Sequence, residues 1–124
     1  MTLLLDTHIV LWWWGLDARL TPATRDAIAL AGTVLVSAAS AWEVAIKQAL
    51  GRLALRDPFT AMMDSSGFTE LPVTCRHADA VAGLTPHHRD PFDRLLIAQA
   101  TLERATLVTH DRHFKPYNLP VLWA

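Results

Sequence analysis

The sequence predicts an α/β domain of three layers, with helices on both faces of a central, mainly parallel sheet of about five strands. Three observations lead there. Strand-like and helical segments alternate along the whole chain, from "TLLL" at 2–5 to "PVLW" at 120–123. The strand-like segments are continuous apolar runs, as expected of strands covered by helices on both sheet faces. No linker, repeat or low-complexity segment interrupts the 124 residues, a length that suits one domain with a real core.

The elements follow in order. "TLLL" is the first strand and ends at Asp6. An apolar helical stretch, "HIVLWWWGL", runs to about Gly15. In "TPATRDAIALAG", Thr21 is the cap, Pro22 takes the first helical position and Gly32 lies past the end. "TVLVS" is the second strand and "SAWEVAIKQALG" a helix closed by Gly51. "DPFTAMMDSSG" opens another helix at an Asp-Pro pair. "FTELPV" is the third strand, "CRHADAVAGL" a short helix, and "DPFDRLLIAQATLERA" the long late helix. Strands "TLVTH" and "PVLW" complete the chain, and the turns after Gly15 and near Pro86 are expected to be the most exposed.

Composition limits the function classes. Hydrophobic residues make up 52% and charged residues 19%, so the chain is globular rather than disordered. Eleven basic residues against twelve acidic ones give a net charge of -1. A broad basic surface for duplex DNA is thereby excluded, and any nucleic-acid contact must be local. Cys75 is the single cysteine, so no intrachain disulfide forms, which fits a reducing cytoplasm. "IVLWWWGL" is too short to span a bilayer, and "MTLLLDTH" lacks the basic start of a secretory leader. The chain reads as one cytoplasmic domain over residues 1–124.

Four acids have an unusual placement. Asp6 follows the first strand, Glu43 lies in the first turn of the helix after the second, Asp93 in the first turn of the long late helix, and Asp111 after "TLVTH". In a parallel sheet all strand C-termini share one edge, helix N-termini return to it, and ligands bind there. Each acid also has a plain structural explanation. Ser40 and Glu43 match a capping box, and Glu43 pairs with Lys47 four residues on. Asp90 suits the N-cap before Pro91, Asp93 suits the helix dipole, Asp6 or Thr7 suits a cap, and Asp111 suits a turn. Asp17, Asp26 and Asp57 have no such convergence and read as structural or solvent-facing. Taken together, however, carboxylates crowded on one edge repel one another and raise one another's pKa. A divalent cation would neutralise them, and hard oxygen ligands suit Mg²⁺, with Mn²⁺ able to substitute. Asp90 is then the cap and Asp93 the ligand.

The segments "LLLDTHIVLWW", "SAASAWEVAIKQALGRL", "SGFTELPVT", "HHRDPFDRLLIAQA" and "LVTHDRHF" together resemble the PIN-domain family, and within it the VapC-type toxins of toxin–antitoxin systems. The resemblance covers essentially the whole chain. It implies a Mg²⁺-dependent endoribonuclease that cuts RNA phosphodiesters with a metal-activated water. It carries Asp6, Glu43, Asp93 and Asp111 over as the acidic, metal-binding set, with Asp111 at the family's most variable position. Thr109 becomes a helper that hydrogen-bonds a ligand carboxylate or water. A homodimer and a cognate antitoxin packed over the cleft are implied as partners. A PIN-like module that binds its partner without cutting is the alternative. A phosphotransfer receiver is a third class, but "FTELPVT" offers no acceptor aspartate after the third strand.

Basic residues are expected at the rim. Arg94 and Arg112, with Arg89, Lys115 and the histidines His77, His87, His88, His110 and His113, are candidates to touch phosphates. The histidine spacing fits no zinc motif, and a lone cysteine supplies no thiolate pair. Trp12, Trp13 and Trp14 point in three directions on a helix, so at least one is core. The others, and Trp42, are expected to meet a second subunit or a partner.

Overall fold

The computed structural model describes residues 1–85 and 90–124. The expected turn near Pro86, with His87, His88 and Arg89, lies outside the described residues. Among the described residues five strands and six α-helices follow in this order: β1 (Thr2–Leu5), α1 (Thr7–Trp14), α2 (Pro22–Leu30), β2 (Thr33–Ser37), α3 (Ala38–Ala49), α4 (Phe59–Ser66), β3 (Thr69–Leu71), α5 (Cys75–Ala82), α6 (Pro91–Glu103), β4 (Thr106–Thr109) and β5 (Val121–Trp123). A short 3₁₀ turn, Arg112–Phe114, follows β4 and was not expected from the sequence.

The sheet order is β3-β2-β1-β4-β5, and every described pairing is parallel, so the sheet is parallel throughout rather than mainly so. β1 is central. Its side chains alternate between two apolar clusters. Leu3 and Leu5 join Ile9, Val10, Trp12, Ile28 and Met63 on one face, under α1, α2 and α4. Leu4 joins Leu96, Ile97, Leu107 and Phe114 on the other, under α6. The strands are apolar on both faces because both faces are covered. After β3 the chain crosses back past β1 to build β4 and β5. β1, flanked by β2 and β4, is therefore where the winding reverses, and such a switch point opens a crevice at the strand C-termini.

Local chemistry sets the element boundaries. Thr21 caps α2 ahead of Pro22, its hydroxyl accepting from the Thr24 N–H. The expected cap of α3 needs correcting. Ser37, not Ser40, accepts from the Ala39 N–H, so the helix starts three residues earlier and Glu43 lies in its second turn. Asp57 likewise does not cap α4; Pro58 takes that position with no side-chain bond, and Asp57 pairs with Arg56 on the surface. Gly51 and Gly67 end α3 and α4 in the left-handed region, where glycine is the least strained residue. Leu16 adopts the same region (φ 51°) just past α1 without being a glycine.

The tryptophans pack within the chain more than expected. Trp12 is buried, Trp13 lies against Phe68, and Trp14 lies edge-on to Phe59 while its Nε1 donates to Ser66 Oγ at 2.7 Å. Trp42 meets Phe92 edge-on at 5.4 Å yet stays 64% exposed, with Ile46 on α3 and the C-cap Leu50 following at helical spacing.

Candidate active site

Asp6 is delivered by the central strand. Its backbone N–H donates to the Val108 carbonyl at 2.9 Å, so pairing with β4 runs up to the acid itself. The side chain is 3% exposed. It occupies the N-cap position of α1 but makes no cap bond, which removes the capping explanation for this acid. Instead Oδ2 accepts from the Thr109 hydroxyl at 2.7 Å. The same Thr109 oxygen accepts from the Asp111 N–H at 3.0 Å, so one buried hydroxyl ties the acid that follows β1 to the segment that leaves β4. Burial above all raises the Asp6 pKa, and Glu43 adds to it, while Thr109, His8 and the Thr7 N–H pull the other way.

Glu43 is positioned through α3. The Thr7 hydroxyl donates to Ser40 Oγ at 2.8 Å in the interior, locking the first turn of α1 to the first turn of α3. Glu43 lies one turn beyond Ser40. It also accepts from Lys47 at 3.1 Å, as the i,i+4 spacing foretold.

Asp90 takes the cap position that the sequence suggested. Asp90 Oδ1 accepts from the N–H groups of Phe92 and Asp93 at 2.9 and 3.2 Å and so caps α6. Asp93 has its pKa pushed up to about 8, first by burial, then by the charges of Asp6, Asp90, Glu43 and Asp111. Carboxylates that follow β1, lie on α3, cap α6 and follow β4 thus all act electrostatically on one side chain. Asp111 caps the 3₁₀ turn and accepts from the His113 N–H at 2.9 Å.

A cleft of about 270 Å³ opens beside these groups, lined by Asp6, His8, Trp12, Arg19, His110 and Asp111. His8, Trp12 and Arg19 were not foreseen as site residues. His8 was legible in principle, two positions past Asp6, but Arg19 reaches the cleft only through the path of the loop after α1. His110 also lines a second cavity with Arg112, Lys115, Trp123 and Ala124, which shares that one residue with the cleft of Asp6 and Asp111. Arg94 is placed otherwise: its guanidinium donates to the carbonyls of Val81 and Thr85, tying α6 to the end of α5. His77 does not rim the cleft. It is buried, and its Nδ1 accepts from the Thr74 N–H in a capping box at the start of α5.

Whether these residues suit a metal follows from their chemistry. All the donors are carboxylate oxygens, the set preferred by a hard divalent cation. Neutralising Asp93 by a proton, as burial and its neighbours do, is the alternative to neutralising it by a cation. Among the described residues no three His, Cys, Asp or Glu side chains enclose a common ion position as they stand. The acids act on one another at Coulombic range, and the donor chemistry fits.

The family model of the PIN domain matches residues 3–118. The chain belongs to the PIN-domain family. Ribonuclease VapC22 of Mycobacterium tuberculosis is 32% identical over 126 residues, spanning 96% of this chain and 94% of the relative. Among solved structures, VapBC-1 from nontypeable Haemophilus influenzae superposes with a TM-score of 0.73 at 18% identity, covering 99% of this chain and 98% of that one. VapBC2 from Rickettsia felis, bound to a DNA fragment from its promoter, gives a TM-score of 0.71 at 19% identity and 98% coverage of both chains. At these identities the structural matches show the PIN fold. Among the described residues no helix is long and apolar enough to cross a membrane.

Proposed function

We propose that this PIN domain is a divalent-cation-dependent endoribonuclease, the toxin of a toxin–antitoxin pair, with Asp6, Glu43, Asp93 and Asp111 as its acidic set. The observation that carries this reading is the crowding around half-buried Asp93: Asp6, which leaves the central strand at the switch point, Glu43, Asp111 and the cap Asp90 all raise its pKa. The relative named a ribonuclease supports the substrate class, and the solved VapBC assemblies support an antitoxin partner.

The chain's own groups have separable duties. Thr109 holds the Asp6 carboxylate and anchors the backbone of Asp111. Ser40 and Thr7 fix α3 so that Glu43 is held toward the same crevice. When bound by these acids, Mg²⁺ or Mn²⁺ supplies charge for the phosphoryl oxygens and lowers the pKa of a coordinated water. Glu43 or Asp111 would orient the attacking water or complete a second cation site. Arg112 and Lys115, which line the cavity that shares His110 with this cleft, are assigned to RNA phosphates. The exposed Trp42, Ile46 and Leu50 stripe is the surface offered to a second copy or to the antitoxin.

The reading is tested by incubating purified protein with total RNA. Defined fragments are expected with Mg²⁺ and none with EDTA. Intact RNA after exposure to folded, Mg²⁺-supplied protein would favour the non-cleaving binding module.

A further inference from the structure

We infer that Arg19 is an RNA phosphate anchor in the cleft of Asp6 and Asp111, an assignment that rests on the ribonuclease reading above. Arg19 is held unusually firmly for a residue whose side chain is 68% exposed. Its Nε donates to both Asp17 carboxylate oxygens at 3.1 and 3.2 Å, its Nη2 donates to Asp17 Oδ2 at 2.6 Å, and its own backbone N–H donates to Asp17 Oδ1 at 2.9 Å. Its guanidinium carbon stands 4.7 Å from the Trp12 ring centroid. Trp12 in turn meets the His110 ring edge-on at 5.3 Å. The plane is thus fixed between a carboxylate and an indole, with the Nη1 edge outside the Asp17 pair.

The loop that presents Arg19 is firmly tied. Leu16 takes a left-handed conformation that costs a non-glycine residue about 1 kcal/mol or more. Arg25 Nη2 donates to the carbonyls of Trp12 and Asp17, both at 3.1 Å, clamping the loop to α1. Leu20, next to Arg19, is buried at 1% exposure and pins the far end. Ion pairs between exposed charges contribute little to stability, so the Asp17–Arg19 pair does not by itself account for this arrangement. Its consequence is positional: Arg19 lines the same cleft as Asp6 and Asp111, and His110 joins that cleft to the cavity of Arg112, Lys115 and Trp123. A single strand laid through both cavities meets Arg19 in the one that holds Asp6 and Asp111 and Arg112 with Lys115 in the other. A pre-set planar guanidinium suits a phosphate better than a mobile lysine does.

The test uses a short, labelled single-stranded RNA of random sequence, with Mg²⁺ present and Asp6→Asn as the background so that the RNA survives. Adding Arg19→Ala is expected to weaken binding by about tenfold and to flatten the dependence of log K on log salt by about 0.7, one phosphate contact on a single strand. Arg52→Ala removes the same charge from the exposed end of α3 and should change neither. Arg19→Lys should keep the salt slope and lose part of the affinity, which separates a contact from a folding defect. If Arg19→Ala behaves like Arg52→Ala in a protein whose parent cuts RNA, the anchor is wrong and the ribonuclease stands. If the parent does not cut and the Asp6→Asn protein does not bind, both are wrong.

Discussion

Asp93 connects the electrostatics of the site to measurable behaviour. In the unfolded chain its carboxyl titrates near 3.8, and in the folded protein at about 8. Between those values the folded state holds the extra proton, so the stability of the metal-free protein falls as pH rises from about 4 to about 8. Asp93→Asn should remove most of that slope and leave the variant more stable than the parent at pH 8 in EDTA; equal slopes in denaturant titrations would show that Asp93 is not the strained group. A cation must displace that proton, so Mn²⁺ binding at pH 7 should release up to one proton from Asp93, read by calorimetry in two buffers of different ionisation enthalpy. Heats independent of buffer would argue against it. The acids themselves were legible in the sequence because their positions after strands and in early helical turns are topological facts. Arg19 was not: its approach to Asp6 depends on one left-handed residue, Leu16, and on the Arg25 clamp, and neither leaves a pattern in composition or periodicity.

At the scale of elements, the caps and ties decide how accurately the acids are aimed. Ser40 shows both the strength and the weakness of reading "SAWE" as a capping box. The residue matters, but as the acceptor for Thr7 in the interior rather than as a cap, because "SAAS" offers two serines and Ser37 takes the helix start. Ser40→Ala leaves a buried hydroxyl without its acceptor and should cost about 1–3 kcal/mol in urea unfolding. Ser37→Ala should cost about 1 kcal/mol through the lost cap. If Ser37→Ala proved the more damaging of the two, the Thr7–Ser40 tie would not be what holds α3 against α1. Gly67 ends α4 at φ 69°, and a methyl group added there would meet no heavy atom within 4 Å. Gly67→Ala therefore tests conformation alone and should cost about 1–2 kcal/mol. No measurable cost would mean the turn relaxes to another conformation.

For the molecule as a whole, alternation of apolar strands and helices was enough to foresee a parallel sheet covered on both faces. The strand order was not legible, since periodicity does not say on which side of β1 the next strand will pair. That order matters because placing β2 and β4 either side of β1 is what brings residues 6, 43 and 111 within electrostatic range of Asp93. Packing also accounts for Trp13 and Trp14, leaving Trp42, Ile46 and Leu50 as the exposed apolar stripe. If that stripe joins two copies, the isolated chain is dimeric by light scattering at micromolar concentration and Ile46→Glu is monomeric; a monomeric parent leaves the stripe to the antitoxin. The central claim is that the converging acids, and not the helix cap beside them, perform the chemistry. It is tested most directly by the cleavage rate of one RNA target, identified from fragment ends, for Asp6→Asn, Asp93→Asn and Asp90→Asn under the same Mg²⁺. Asp6→Asn and Asp93→Asn should each lose at least about 100-fold, the scale for groups that stabilise developing charge. Asp90→Asn should stay close to the parent, since asparagine caps a helix about as well as aspartate. An Asp90→Asn protein as inactive as Asp93→Asn, or an Asp6→Asn protein that still cuts, would contradict the account.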